Sequence, residues 1–308
     1  MRRARASAFA LVLLSLVGLP LAGPPRPSAT PGRVVGSVAA RSRAVAATAG
    51  PCGRTRSVPR YSHVVWIVME NNGFSQVVAN RAAPFLGRLG RECGLATDYL
   101  AVAHPSLPNY LALTSGSTDQ VTDDADPAAH PLLVPSIFSQ LHGSWRALEE
   151  AMPRACDRVS AGEYAAKHDP AVYYVDLGAT CARDVVPLRY PLDLSARFTF
   201  VTPDLCNDMH DCPVATGDAW LARVVGDVVA SPEYRSGTTA LFIVWDESES
   251  AGPNRVAAFV VAPSVPPGTR VAAPFTHYSL LATAEDLLGL ARLGNARTAR
   301  SMVVPFHL

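Results

Sequence analysis

The sequence predicts an α/β fold, a three-layer, doubly wound and mostly parallel sheet with a small cap region. Two apolar runs, His63–Met69 and Leu241–Trp245, are typical of strands buried on both faces, because their β-branched and aromatic residues lack polar alternation. Helical patterns separate several predicted strands, which implies parallel pairing. Each run ends abruptly in carboxylates, at Glu70 and at Asp246 with Glu247. Open sheets of this kind bind ligands at the carboxyl ends of their strands, so these carboxylates indicate a site there.

The other predicted elements alternate along the chain. Amphipathic patterns predict helices over residues 219–229 and 279–289, and Gly289 is a natural C-cap of the second. Residues 117–160 carry Pro and Asp clusters that fit no regular element, so we expect them to form the cap over the site. The predicted strands are 63–69, 97–102, 171–176, 198–202, 240–245 and 256–262.

The overall composition is compatible with one large α/β domain. The chain has 308 residues, and a hydrophobic fraction of 49% is enough for a full core. Its formal net charge of +1 provides no field that would attract a polyanion. We therefore expect no nucleic acid among its partners.

The N-terminus predicts export. A basic start is followed by an apolar stretch over residues 8–21, so residues 1–22 are expected to be a signal peptide. That stretch is shorter than the roughly 20 residues of a membrane span, and no longer apolar run follows, so no stable membrane span is expected. Residues 23–59 are rich in Ala, Pro, Arg, Gly and Ser, which favours a disordered linker or a processed segment. The catalytic or binding domain is expected over 60–308, in a secreted protein.

The cysteine count agrees with an exported chain. Six cysteines suggest up to three disulfides in an oxidising compartment, and fifteen pairings are possible. Short separations favour two of the pairs and leave the third by elimination. The favoured pairs are Cys206–Cys212, Cys156–Cys181 and Cys52–Cys93.

Ser106 is the candidate nucleophile. It follows the apolar stretch 99–102 and begins a helical pattern, so it is expected at a strand-to-helix turn. The free N–H groups and partial positive charge of a helix N-terminus favour an oxyanion or a phosphate. A serine hydroxyl needs a base or a metal to become a good nucleophile, and the nearby carboxylates could hold a cation. The alternative is that Ser106 only caps a turn and the acidic clusters are solvated strand ends.

Five motifs in order carry a family resemblance. They are Met69–Asn71, His104–Tyr110, Asn207–Asp211, Trp245–Glu247 and Thr276–Ser279. With these motifs, the chain resembles the bacterial phosphoesterase family over about residues 60–292. That family contains secreted acid phosphatases and phospholipases C and is similar to the alkaline phosphatase superfamily. The resemblance implies an alkaline-phosphatase-like sheet and a phosphoesterase domain over 60–308.

The resemblance also implies roles at the strand ends and at the turn. Ser106 is expected to attack phosphorus and form a phosphoserine intermediate, while Asn109, three residues later, contacts the phosphoryl oxygen. One divalent metal ion is implied, and oxygen ligands favour Ca, Mg or Mn. Its implied ligands are Glu70, Asn71, Asp246 and Glu247.

Histidines are expected to complete the site. The motifs imply catalytic roles for His168, His210 and His277, the last beside the substrate or a second metal. Imidazolium can bind phosphate or protonate a leaving oxygen. The motifs also imply substrate contacts for His104 and Asp208. The spacing of Asp208 and His210 differs from a two-metal pattern and favours a single metal. Four histidines match no motif and are expected to be structural: His63, His130, His142 and His307.

The sequence therefore predicts a secreted, metal-dependent phosphatase that hydrolyses phosphate monoesters. Its expected partner is a small phosphorylated substrate or a phosphoinositide head group. One alternative is a phospholipase C-like phosphodiesterase, although the chain has no obvious apolar lipid-binding extension. Another is an inactive extracellular protein that binds a phosphate ligand, which the presence of Ser106 and both acidic pairs disfavours.

Overall fold

The computed structural model describes residues 50–249 and 252–308. The predicted signal peptide and residues 23–49 of the predicted linker lie outside the described residues. Strands in chain order are β1 His63–Met69, β2 Gly94–Ala96, β3 Tyr99–Leu100, β4 Trp145–Glu149, β5 Val185–Pro187, β6 Phe198–Thr202, β7 Thr239–Trp245, β8 Ala258–Val261, β9 Arg270–Val271 and β10 Phe275–Thr276. Helices are α1 Phe74–Val77, α2 Pro84–Glu92, α3 Ser106–Ser115, α4 Ile137–Gln140, α5 Ala179–Asp184, α6 Val214–Ala230, α7 Pro232–Arg235, α8 His277–Leu288 and α9 Val303–Phe306.

Eight of these strands form one sheet in the order β5-β4-β6-β1-β7-β8-β2-β9. The strands from β5 to β7 run parallel, whereas β8 is antiparallel to both β7 and β2. The central strands β6 and β7 are buried along their whole length, as is β1 after its first residue. Their continuous apolar sequences are explained by this position, because both faces of a central parallel strand are covered. The predicted α/β fold with a mostly parallel sheet is confirmed.

Two short strands outside this sheet position the site. β3 and β10 pair in parallel, with Tyr99 opposite Phe275. α3 begins six residues after β3, and α8 begins directly after β10; the two helices pack against each other. The N-termini of α3 and α8 are thereby held close to the carboxyl ends of β1 and β7.

Two element predictions were wrong. Residues 171–176 do not form a strand but two 3₁₀ turns, the buried Pro170–Tyr173 and the largely exposed Val175–Leu177. Pro170 lacks an N–H group and fixes φ, and a short apolar run does not distinguish a buried turn from a buried strand. Only Tyr99–Leu100 of the predicted strand 97–102 is a strand, and it pairs outside the main sheet.

The predicted cap also contains part of the sheet. β4 lies between β5 and β6, although it falls inside residues 117–160. The search for apolar runs did not predict β4, because two of its five side chains are charged. Arg146 forms an ion pair with the buried Asp184 at 2.7 Å, and Glu149 is buried at the strand's end. Asp184 compensates the charge of Arg146, whereas burial raises the pKa of Glu149 well above its usual range and so favours its uncharged form.

The helices and cross-links agree with the predictions. α6 and α8 contain the two predicted helices, and Gly289 ends α8 in the left-handed region at φ +68°. All three predicted disulfides are present: Cys52–Cys93, Cys156–Cys181 and Cys206–Cys212. No helix among the described residues is both long enough and apolar enough to cross a membrane.

Residues 50–59, which the sequence assigns to the linker, are attached to the domain. Cys52 is buried and cross-linked to the end of α2, and the backbone N–H groups of Arg54 and Thr55 both donate to the carbonyl of Pro263. This part of the predicted linker therefore packs on the domain rather than extending away from it.

Candidate active site

The pairing of β1 with β7 brings two carboxylates side by side. Met69 is opposite Trp245, so Glu70 and Asp246 leave the sheet at the same level. The backbone N–H of Asp246 donates to the carbonyl of Met69 at 2.9 Å, and that of Asn71 donates to Asp246 Oδ1 at 3.1 Å. Asn71 has φ +52°, a left-handed conformation that asparagine tolerates better than most residues. This bend directs both buried carboxylates toward the N-terminus of α3.

Ser106 is the first residue of α3, as its predicted place at a strand-to-helix turn requires. Its side chain is buried, and Oγ donates to Glu70 Oε2 at 3.1 Å. Glu247 Oε1 lies 3.5 Å from the same hydroxyl. The candidate nucleophile thus lies among the predicted metal ligands at the positive end of a helix dipole.

Glu70 is held by two hydrogen bonds and one ion pair. In addition to Ser106, Tyr110 Oη donates to Oε1 at 2.9 Å, and His168 Nε2 lies 3.0 Å from the same oxygen. Burial tends to raise the pKa of Glu70, but the charge and hydrogen bond of His168 outweigh it and lower this pKa to about 2. Glu70 is therefore a carboxylate at any pH at which the protein is expected to work.

His168 bridges Glu70 and Asp208. Its Nδ1 lies 3.4 Å from Asp208 Oδ2, and its ring stacks on Tyr110 with centroids 5.2 Å apart. Burial alone would lower the pKa of His168. The interactions with Glu70 and Asp208 have the larger, opposite effect and raise this pKa to about 9. His168 is thus a buried imidazolium that orients Glu70, and both of its nitrogens already face carboxylates.

Asp208 connects the disulfide loop to the strand end. Its carbonyl accepts from the N–H of Glu70 at 2.9 Å, and its Oδ1 accepts from the N–H of His210 at 2.7 Å. Burial raises the pKa of Asp208 to about 6. The structure brings this predicted substrate-binding residue to the site, where its carboxylate faces His168 rather than open solvent.

His104 lies at the exposed edge of the site. Its Nδ1 is 2.7 Å from Glu247 Oε2, and 46% of its side chain is exposed. Burial and the charge of Glu70 raise the pKa of Glu247 to about 8. His104 therefore contacts both the carboxylate cluster and solvent.

Asn109 does not occupy its predicted position against the phosphoryl group. Its Oδ1 accepts from the N–H groups of Val102 and Ala103, and its Nδ2 donates to the carbonyls of Ala103 and Pro105, all within 3.2 Å. Because the buried amide is fully used by backbone, Asn109 holds the loop that precedes Ser106. The spacing from Ser106 singled out Asn109, but in this structure its side chain points toward the backbone of the preceding residues 102–105.

His277 is likewise a positioning residue in this structure. Its ring is fully buried, with Nε2 2.6 Å from the carbonyl oxygen of Asp246 and Nδ1 3.1 Å from Tyr99 Oη. Burial lowers the pKa of His277 to about 4, so the ring is neutral, donates from Nε2 and accepts at Nδ1. Both nitrogens are satisfied by protein groups, which leaves neither for a substrate or a second metal.

His210 lies beside a cavity rather than beside Ser106. Its Nδ1 is 2.7 Å from Asp211 Oδ1, and its ring centroid is 6.1 Å from that of His168. The cavity has a volume of about 350 Å³, and its charged or titratable lining residues are Asp124, Tyr164, Lys167, His210 and Asp211.

Two residues of the site were missed by motif reasoning. Lys167 Nζ donates to Asp124 Oδ2 at 3.0 Å, and Asp124 Oδ1 accepts from the N–H of Leu107 at 2.9 Å. Lys167 immediately precedes His168 and is the chain's only lysine, a signal that the sequence contained. Asp124 had no comparable signal, because it lies in an irregular segment with several aspartates.

The chemistry of the donor set fits a hard divalent cation. Glu70 and Glu247 present carboxylate oxygens to Ser106, and Oδ2 of the neighbouring Asp246 is buried without a hydrogen-bond partner. Burial, followed by the charges of Glu70 and Glu247, raises the pKa of Asp246 well above its usual range. A cation would compensate this concentration of buried negative charge.

The carboxylates are nevertheless engaged by protein donors. Across residues 50–249 and 252–308, no three His, Cys, Asp or Glu side chains converge in a metal-binding arrangement. Glu70 accepts from Ser106 and Tyr110 instead, and Glu247 faces His104. Binding a cation at this point would require these hydrogen bonds to be exchanged for metal–oxygen contacts.

Sequence comparison finds relatives that hydrolyse phosphoric esters. The model of the phosphoesterase family matches residues 76–291. The chain is 32% identical over 249 residues to a phosphatidylinositol-3-phosphatase of Mycobacterium tuberculosis, covering 79% of this chain and 82% of that protein. It is 28% identical over 272 residues to a phosphate-repressible acid phosphatase of Penicillium chrysogenum, covering 82% of this chain and 65% of that protein.

Solved structures resemble the chain in fold. An alkaline phosphatase superfamily protein from Vibrio parahaemolyticus superposes with a TM-score of 0.56 at 10% identity, covering 83% of this chain and 74% of that one. A phosphonate monoester hydrolase from Silicibacter pomeroyi superposes with a TM-score of 0.53 at 12% identity, covering 80% of this chain and 76% of that one. At these identities the likeness establishes the shared architecture alone.

Proposed function

We propose that this chain, which belongs to the phosphoesterase family, is a secreted, metal-dependent phosphomonoesterase with Ser106 as its nucleophile. The five ordered motifs predicted the family and the hydrolysis of phosphoric esters, and the family match and the named relatives confirm both. The remaining specifics, which are monoester preference, the metal, the phosphoserine intermediate and secretion, are the proposal.

One observation carries the proposal, the contact between Ser106 Oγ and Glu70 Oε2 at 3.1 Å. It places a buried hydroxyl at the start of α3 inside a cluster of carboxylates. The pKa of Glu70, lowered to about 2, makes this carboxylate a poor proton acceptor. A carboxylate this weakly basic orients the hydroxyl better than it deprotonates it, so we assign the activation of Ser106 to a bound cation.

Glu70, Asp246 and Glu247 would hold that cation, with the side chain of Asn71 beside them. Their oxygens favour Ca, Mg or Mn over ions that prefer sulfur or nitrogen. When bound, the ion supplies Lewis acidity that favours the Ser106 alkoxide and offsets phosphoryl charge. His168 and Tyr110 keep Glu70 in the orientation that this role requires.

In the reaction, Ser106 Oγ loses its proton to solvent and forms a bond to phosphorus as the bond from phosphorus to the alcohol oxygen breaks. We assign to His104 the proton that the leaving oxygen takes up, because this imidazole is half-exposed and contacts Glu247 at 2.7 Å. Water then attacks the phosphoserine and releases inorganic phosphate and the free hydroxyl of Ser106. Asn109 and His277 act indirectly, because their hydrogen bonds to backbone groups fix the positions of Ser106 and Asp246.

Small phosphate monoesters are the proposed substrates, with a phosphoinositide head group among them. The relatives' names, phosphatidylinositol-3-phosphatase and acid phosphatase, support this choice. Secretion is supported by the three disulfides, since cross-links of this kind persist in oxidising compartments.

The test is hydrolysis of p-nitrophenyl phosphate by the purified, disulfide-intact protein, after chelation and after return of Mg, Mn or Ca. Ser106→Ala is expected to abolish turnover, whereas Ser115→Ala removes a hydroxyl at the other end of the same helix and should retain it. Acid quenching followed by mass spectrometry should locate the phosphoryl group on Ser106. Chelator-resistant turnover, or turnover that survives in Ser106→Ala, would contradict the proposal.

A further inference from the structure

Lys167 differs in kind from every other strongly basic residue of the chain. The 308 residues contain 27 lysines and arginines together, and Lys167 is the single lysine among them. Arginine is a planar fork suited to fixed, bidentate pairing, whereas lysine carries a compact ammonium on a flexible stem. The one position with the movable cation is adjacent in sequence to His168, which orients Glu70.

The ammonium of Lys167 belongs electrostatically to the candidate active site. Its charge contributes to the lowered pKa of Glu70 and partly opposes the rise in the pKa of Glu247, and Glu70 in turn favours the charged form of Lys167. It is connected to the nucleophile turn through Asp124, which binds Lys167 Nζ at 3.0 Å and the N–H of Leu107 at 2.9 Å. One carboxylate therefore occupies two donors that a phosphoryl oxygen could use.

No guanidinium takes this place. Among the described residues, no arginine forms an ion pair with Glu70, Asp208, Asp246 or Glu247; the basic side chains paired with Glu70, Asp208 and Glu247 are histidines. A monoester brings two further negative charges to these carboxylates, and a single divalent ion does not neutralise that total. A diester brings only one, so a second cation matters more for the monoester.

Lys167 also has room to move. About 20% of its side chain is exposed, and it lines the 350 Å³ cavity together with Asp124 and His210. The four-carbon stem lets Nζ exchange one oxygen acceptor for another without movement of the backbone.

We infer that Lys167 Nζ leaves Asp124 to bind a non-bridging oxygen of the substrate phosphoryl group, and that this contact selects dianionic monoesters over monoanionic diesters. The inference rests on the proposed function, which it deepens by naming the residue that sets substrate charge. Asp124 is then a positioning residue that holds the ammonium ready.

The kinetic test compares Lys167→Met with Lys167→Arg on p-nitrophenyl phosphate and bis-p-nitrophenyl phosphate. For Lys167→Met, kcat/KM for the monoester should fall about 10- to 100-fold, the range for losing a charged hydrogen bond, and the diester should change far less. Lys167→Arg should recover part of the loss. Arg158→Met, which removes a charge from an exposed side chain, is the matched control. Equal losses on both substrates, or none, would overturn the inference.

A binding test separates this inference from the proposed function. In Ser106→Ala, which cannot turn over, Lys167 is the only side-chain amine available to acetylation. Inorganic phosphate with Mn should slow acetylation of Lys167 and leave the N-terminal amine unaffected, as measured by mass spectrometry. Unchanged modification of Lys167 at saturating phosphate would refute the contact, whatever the wild-type protein hydrolyses.

Discussion

His277 holds Asp246 through its backbone rather than through its carboxylate. Nε2 lies 2.6 Å from the carbonyl oxygen of Asp246, and Tyr99 Oη satisfies the other nitrogen. A histidine of the Thr276–Ser279 motif thus fixes the end of β7, where the acidic pair begins. Burial favours the neutral imidazole, because protonation of Nδ1 would place a charge in the core and turn Tyr99 Oη from donor to acceptor.

The first prediction concerns this neutral histidine and acid stability. Burial lowers the pKa of His277 from 6.5 to about 4. Between pH 6.5 and pH 4, this histidine is therefore protonated in the unfolded chain and neutral in the folded chain. Stability should therefore be unaffected above pH 6.5 and decline as pH falls toward 4, by about 3 kcal/mol from this group. Urea unfolding across this range measures the slope. His277→Gln keeps an N–H donor without titrating and should flatten the slope, with the exposed His142→Gln as control; equal slopes would contradict the account.

The second prediction separates stability from metal binding. Asp246 has a pKa raised well above its usual range, so its ionisation opposes folding in the metal-free protein. Asp246→Asn should raise metal-free stability by at least about 1 kcal/mol. The same variant should lose most activity and the increase in Tm that Mn or Mg gives the wild type.

A thermal scan with chelator and with each ion checks this prediction without any assay of turnover. Asp227→Asn, in the partly exposed face of α6, should leave both Tm values unchanged. If Asp246→Asn keeps the full metal-induced increase in Tm, the proposed ligand set is wrong.

The third prediction concerns the donors that fix Glu70. Tyr110→Phe removes the hydroxyl that donates to Glu70 Oε1 at 2.9 Å and should lower kcat about tenfold. Tyr174→Phe is a matched control, since this buried tyrosine bonds Thr114 instead, at 2.6 Å. Both variants should lose about 1 kcal/mol of stability, and only the first should lose rate. Equal kcat values for the two variants would show that Tyr110 is merely structural.

The strand ends were predictable because their physical cause is local. A continuous apolar run reports burial on both faces, and β1 and β7 are both buried central strands that end at Glu70 and Asp246. β4 was missed for the same reason. Its Arg146 and Glu149 are accommodated by partners and by position in the fold, neither of which is visible along the chain.

Which residues gather at the strand ends could largely be predicted, but the directions of their side chains could not. Asn109 and His277 lie where the motifs place them, yet each is used by backbone groups contributed by distant or preceding segments. Lys167 and Asp124 meet only because the segment before His168 folds against the N-terminus of α3. Contacts of that kind depend on tertiary packing, which spacing in sequence does not determine.

The last prediction contrasts two disulfides. The Cys206–Cys212 bond closes a loop with a sequence separation of 6, whereas Cys156–Cys181 closes one of 25. Loop-closure entropy predicts losses of about 2 and about 3.5 kcal/mol when each bond is replaced by paired serines. Activity should follow the opposite order, because the smaller loop contains Asp208, whose carbonyl accepts from the N–H of Glu70.

Urea unfolding and kcat/KM on p-nitrophenyl phosphate, measured on both double variants, test this reversal. The Cys206→Ser, Cys212→Ser protein should be the more stable and the less active of the two. Loss of the smaller loop frees Asp208 from His168, so the imidazolium that orients Glu70 loses one of its two carboxylates. If activity instead falls in proportion to stability in both variants, the loop contributes only to folding, and Asp208 has no separate role in the site.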